Sequence, residues 1–163
     1  MKTAFTVGLL LVFAIVANFL IVFVLNIAGL PGALAAGKPG KRSKSQFIAG
    51  SLVSAFGQCL VYLGYTAFVV NYTRTAVFFQ GVNVIVWIVA FLAVIVPIWM
   101  NLIRARLEER EASVANPQAQ ALHITTIVAF LGFFLFAFIP SAMELLYGWI
   151  PLTIWEGSAK LAP

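Results

Sequence analysis

The chain has no aspartate, a single cysteine (Cys59) and a single histidine (His123) among its 163 residues. Each scarcity removes a class of chemistry. One cysteine allows neither an intrachain disulfide nor a thiolate metal cluster. One histidine makes bis-histidine haem ligation within this chain impossible. Without aspartate, paired-aspartate membrane hydrolases and Ser-His-Asp catalysis lose their residues, and no HExxH zinc helix can be written. No P-loop or GxGxxG follows any plausible strand, so nucleotide binding has no support. Acids are confined to five glutamates, three of which (Glu108, Glu109 and Glu111) sit in one polar stretch.

Charge as a whole is also scarce. Charged residues make up 9% of the chain, against about 25% in a soluble domain, while 63% are hydrophobic and the mean hydropathy is +1.04. A water-facing surface cannot be built from this composition, and the chain falls in the membrane class. The net charge of +5 does not indicate nucleic-acid binding. Its basic residues flank apolar runs, the pattern of topology determinants and anionic-lipid contacts.

Long apolar runs are present in abundance. Residues 3–37, 45–73, 75–103 and 112–143 carry no Lys, Arg, Asp or Glu apart from Arg74 between two of them. Each exceeds the roughly 20 residues needed to cross about 30 Å of hydrocarbon. The runs are continuous rather than alternating, which excludes a barrel. The expected fold is all-α: a polytopic integral membrane protein with four transmembrane helices in an antiparallel bundle. It forms a single membrane domain over 1–163, with helices at about 5–29, 46–71, 76–103 and 119–147. Polar loops fall at 37–45 and 104–117.

The first helix is expected to stop before Pro31-Gly32. A secretory signal peptide cleaved near Ala33-Leu34-Ala35 is the rival reading, but the apolar stretch far exceeds a usual signal core. The basic segment 37–44 is punctuated by Gly and Pro. Asn71-Tyr72-Thr73-Arg74-Thr75 reads as a tight turn that pairs the second and third helices as a hairpin. Pro97 predicts a kink in the third helix. Residues 104–111 read as a polar helical extension with Arg104 and Glu108 one turn apart, and Asn116-Pro117 starts the fourth helix.

Seven basic residues lie in the first and third loops, against Lys2, Arg74 and Lys160 on the other side. The positive-inside rule then puts loops 37–45 and 104–117 in the cytoplasm and both termini outside it. A bacterial inner membrane is the expected address.

Polar residues inside hydrocarbon need partners, so they define the candidate sites. Asn18 and Gln58 fall near the middles of the first two helices and are expected to share an amide hydrogen bond. Gly50, Ser54, Gly57 and Gly64 form a small-residue stripe suited to close helix packing. Near the outer side, Gln80, Asn83, Ser141 and Glu144 are a candidate polar cluster. Glu144 lies 21 residues beyond His123, about 32 Å of continuous helix, which sets it at the bilayer edge, where simple contact with headgroups or water is the plainer reading. His123 could hold a haem or metal only with ligands from a partner, and contact with headgroups is the simpler role. Cys59 reads as a small buried residue.

The functional expectation is a non-catalytic accessory or scaffold subunit of a larger membrane complex. It would pack its helices, including the Phe-rich 130–138 stretch, against partner subunits and lipid or other hydrophobic ligands. The partners implied are membrane lipids and other membrane subunits or a homo-oligomer, with no nucleic acid; no cofactor is identifiable. The alternatives are a small oligomeric transporter or channel with Glu144 as titratable group, and a membrane enzyme acting on a lipid-like substrate.

Overall fold

Apolar runs without internal water must satisfy every backbone polar group within themselves, which only helix allows in an open segment. The computed structural model describes residues 2–38, 41, 43–78, 84–139 and 142, and among these all regular structure is helical. Four helices follow in order: α1 (Lys2–Ala35), α2 (Lys44–Phe78), α3 (Val84–Ala112) and α4 (Pro117–Phe138). Each is long and apolar enough to cross a membrane. Over its described residues the protein is an all-α, four-helix integral membrane protein.

The helices form a four-sided bundle. Its sides are α1–α2, α2–α4, α4–α3 and α3–α1, and the pairs α1–α4 and α2–α3 lie across the diagonals. Side-chain pairings give the directions. Ser54 meets Gly29, Gln58 meets Leu25, and Phe68 meets Phe13, so α1 and α2 run antiparallel. Trp87 against Phe133 and Phe91 against Phe130 make α3 and α4 antiparallel. Gln58 beside Thr125 and Leu63 beside Gly132 make α2 and α4 parallel.

Three expected boundaries are corrected. First, α1 does not stop before Pro31 but continues through it to Ala35. Pro31 lacks the N–H that would bond the Ile27 carbonyl, yet packing of the flanking glycines against α2 outweighs that loss. The helix closes only where Gly37 takes φ +74 and its N–H bonds the Leu34 carbonyl at 3.1 Å. The proposed cleavage segment Ala33-Leu34-Ala35 thus lies inside α1.

Second, Asn71–Thr75 is helix rather than turn, and α2 runs on to Phe78. Tyr72 and Thr73 are fully buried. Tyr72 packs edge-on against Phe13 of α1 (centroids 5.5 Å apart), and Thr73 returns its hydroxyl to the Val69 carbonyl at 2.8 Å. Polar turn-formers are accommodated because helical hydroxyls can bond the preceding turn. Within the bundle α2 and α3 pack as diagonal partners rather than as neighbouring sides.

Third, α4 ends at Phe138, capped by Ile139 (φ −121, ψ 86), whose N–H bonds the Leu135 carbonyl at 2.8 Å. Ile139 precedes Pro140, and a residue before proline is driven out of the helical region. The described part of α4 therefore stops short of Glu144, and the depth count from His123 to Glu144 runs on past the described residues.

The α3–α4 connection is tied by one carboxylate. Glu109 accepts from the Arg106 guanidinium at 2.7 Å and from the Asn116 backbone N–H at 3.2 Å. Asn116 then caps α4, accepting from the Gln118 N–H at 3.0 Å, with Pro117 as the first helical residue. Ser113 takes a left-handed φ of 50 to end α3.

Candidate functional site

Most polar groups that line the bundle interior are paired across helices. Ser54, fully buried on α2, donates its hydroxyl to the Gly29 carbonyl at 2.7 Å. One turn on, Gln58 donates its side-chain amide to the Leu25 carbonyl and accepts from Thr125 of α4, both at 3.4 Å. The single Thr125 hydroxyl proton is shared between Gln58 and the Ala121 carbonyl, which lies closer at 2.9 Å, and the Cys59 thiol reaches the Thr125 hydroxyl at 3.6 Å. Three helices are thereby joined at one level by amide and hydroxyl groups without a formal charge.

The expected Asn18–Gln58 hydrogen bond does not form, because Gln58 is satisfied by Leu25 and Thr125. The cause is register. Asn18 lies seven residues, about 10 Å of helix, from Leu25. The small residues set that register. A Cβ on Gly50 would come within 2.5 Å of the Gly32 carbonyl oxygen and 2.6 Å of the Ala36 methyl. One on Gly57 would meet the Ala28 carbonyl oxygen at 2.5 Å, and one on Gly29 would meet the Gln58 amide at 2.8 Å. Gly50, Ser54 and Gly57 face α1, whereas Gly64, farther along α2, is half-buried. The matching glycines of α1 were the missed signal: Gly29 and Gly32 sit beside a proline that reads as a helix stop.

Pro97 of α3 produces a second polar feature. Its missing N–H frees the Ala93 carbonyl, which accepts from the Tyr65 hydroxyl at 3.1 Å. The adjoining Val94 carbonyl accepts a short bond from Tyr62, whose side chain is fully buried. Neighbouring side chains commonly re-satisfy backbone groups released by proline in a membrane helix. Here Tyr65 of α2 reaches across the diagonal to do so, and Tyr62 bonds the next carbonyl beside it.

Two cavities flank this interior. At the end where α3 meets α4 through the 113–116 connection, a cavity of about 320 Å³ opens between α1, α3 and α4. Its floor is apolar (Val22, Leu25 and Leu122), and its polar lining is Asn26, Asn101, Arg104, Glu108, Asn116 and Gln118. The Asn101 side-chain Nδ2 is buried there without a hydrogen-bond partner. Toward the opposite end, a groove of about 530 Å³ lies between α3 and α4. Trp87, Phe91, Phe133, Phe134 and Phe138 line it, with Phe91 and Phe133 edge-on at 5.3 Å and Phe134 and Phe138 stacked at 6.2 Å.

The candidate cluster Gln80, Asn83, Ser141 and Glu144 lies outside the described residues. His123 is exposed on the second turn of α4. Cys59 is half-buried against Thr125, and among the described residues no three His, Cys, Asp or Glu side chains come together.

The fold defines a class, a four-helix polytopic membrane protein with an uncharged polar interior. Comparison with known proteins goes no further: no protein family, curated protein or solved structure matches this chain.

Proposed function

We propose that this chain is a non-catalytic subunit of a larger membrane assembly, packing its helices against partner subunits and apolar ligands. The aromatic groove between α3 and α4 carries the reading. Five aromatic side chains line an apolar recess, and aromatic pairs gain about 0.5–1.5 kcal/mol beyond their buried area. Phe138 on its rim is 76% exposed. The occupant favoured is a transmembrane helix of a partner chain, since lipid tails alone provide no specific driving force for so shaped a recess and helix association in membranes rests on close van der Waals packing. Ser54, Gln58 and Thr125 support the same reading, because they are engaged in holding helices together.

In this reading the bundle sits in a bacterial inner membrane with loops 37–45 and 104–117 in the cytoplasm and both termini outside. Lys38, Lys41, Lys44, Arg104, Arg106 and Arg110 then gather at the cytoplasmic end, as the positive-inside rule requires.

The test is the mass of the species isolated in a mild detergent. The expected result is an assembly that weakens about tenfold with Phe134→Ala or Phe138→Ala and is unmoved by Phe19→Ala on the outer face of α1. A wild-type chain that isolates only as a monomer overturns the proposal.

A further inference from the structure

We infer that the polar cavity between α1, α3 and α4 is a binding site for a phosphoethanolamine group, the headgroup of a zwitterionic phospholipid. Its depth is the first argument. Trp99, exposed on α3, is a residue type that settles at the membrane interface, and Arg104 follows five residues later, about 7.5 Å along the helix. The cavity changes over the same interval from an apolar floor at Val22, Leu25 and Leu122 to a polar mouth at Arg104 and Glu108. An amphipathic ligand with its polar end at headgroup level fits that gradient.

The chemistry of the lining selects the headgroup. Asn101 lines the cavity, and its buried side-chain Nδ2 has no acceptor in the protein. Such a group is costly unless an acceptor enters the site. Asn116 and Gln118 at the start of α4 also border the cavity, but their backbone N–H groups are already bonded to Glu109 and to the Asn116 side chain, which leaves an anionic oxygen to side-chain donors. Arg104 supplies the formal charge. Its Nε donates to Glu108 Oε1 at 3.0 Å, which leaves both terminal amino groups of the guanidinium for a phosphate.

That bond also leaves the second oxygen of Glu108 free. A site for a purely anionic headgroup gains nothing from a carboxylate at its mouth. One guanidinium and one carboxylate side by side match a ligand that carries a phosphate and a hydrogen-bonding ammonium a few ångströms apart. A quaternary ammonium carries no N–H to donate to Glu108, so phosphatidylcholine is the natural discriminating control.

The experiment uses the full chain, stripped of lipid in a maltoside detergent. Phosphatidylethanolamine, phosphatidylcholine, phosphatidylglycerol and diacylglycerol with identical acyl chains are added, and retained ligand is counted by native mass spectrometry. The expected result is at least fivefold greater retention of phosphatidylethanolamine than of any other. Arg104→Gln lowers that retention at least fivefold, and Glu108→Gln brings it down to the phosphatidylcholine level. Both side chains are exposed and their pair contributes little to folding, so the variants stay folded. Asn101→Leu is the second check. It weakens retention, yet leaves the melting temperature of the stripped protein unchanged or higher, because no protein hydrogen bond is lost. Soluble phosphoethanolamine distinguishes the source. Displacement of the lipid at millimolar concentration assigns the same chemistry to a free solute, and no displacement assigns it to the membrane lipid. Equal retention of all four lipids, preference for phosphatidylglycerol, or a preference that survives both Arg104→Gln and Glu108→Gln overturns the inference.

Discussion

Removing the hydroxyl of Tyr65 isolates the interaction between a proline and the side chain that compensates for it. In Tyr65→Phe the ring remains, with its edge-on contact to Tyr62 at 5.6 Å, while the Ala93 carbonyl loses the donor now at 3.1 Å. Interhelical hydrogen bonds in membrane proteins average about 0.6 kcal/mol and reach about 1.7. An orphaned buried carbonyl costs about 1–3 kcal/mol. Because Tyr65 is only half-buried, the lower part of that range applies, and a loss of about 1 kcal/mol is expected. Pro97→Ala restores an N–H that can bond Ala93 from within α3. In that background Tyr65→Phe should cost no more than about 0.3 kcal/mol, within the scatter of independent sites. The double-mutant cycle therefore has an expected coupling of about 0.7 kcal/mol or more, read by titrating the protein from mild detergent into sodium dodecyl sulfate and following loss of helix. Strict additivity of the two substitutions refutes the idea that Tyr65 exists to satisfy the carbonyl released by Pro97. Tyr62→Phe, at the fully buried neighbour, should cost more than Tyr65→Phe in the wild-type background.

Other substitutions probe different parts of the bundle by the same titration. Gly50→Ala places a methyl within 2.5 Å of the Gly32 carbonyl oxygen and should cost about 1–3 kcal/mol through overpacking. Gly8→Ala, where a Cβ meets nothing within 4 Å, should be neutral or stabilising by up to about 1 kcal/mol from helix propensity. Gln58→Leu breaks the link between α1, α2 and α4 and should destabilise by about 1–2 kcal/mol, whereas Asn18→Leu should change stability by less than about 0.5 kcal/mol. Ser113→Gly relieves the left-handed φ of 50 and should stabilise by about 0.5–1 kcal/mol, the loss of strain outweighing the added freedom of the unfolded chain. Glu109→Ala removes the acceptor shared by Arg106 and Asn116 and should lower stability by about 1 kcal/mol, with hydrogen exchange accelerating first in residues 113–117.

The sequence by itself determined the class of this protein. The number of crossings follows from run length and the fixed rise of a helix, and the helical state follows from the absence of water in the bilayer core. The start of α4 at Asn116-Pro117 and the ion pair of Arg104 with Glu108 were equally legible, since caps and i,i+4 pairs are local. The small-residue stripe of α2 was visible too, through its spacing alone.

Tertiary structure decided what depends on a neighbour. Pro31 and the Asn71–Thr75 segment both resemble helix stops in isolation. They lie within helices because Gly29 and Gly32 dock on α2 and because Tyr72 is buried against Phe13. The partner of Gln58 could not be read from depth, since lengthening α1 by two turns shifts the register and puts Leu25, not Asn18, opposite it. The diagonal placement of α2 and α3, which lets Tyr62 and Tyr65 reach the carbonyls beside Pro97, has no counterpart in hydropathy. The polar cavity is likewise assembled from Asn26, Asn101, Arg104 and Gln118, four residues unremarkable in their own segments. A helix's own sequence determines that it forms and spans, whereas the place where two polar side chains meet is set by the register between helices, which only packing against neighbours can choose.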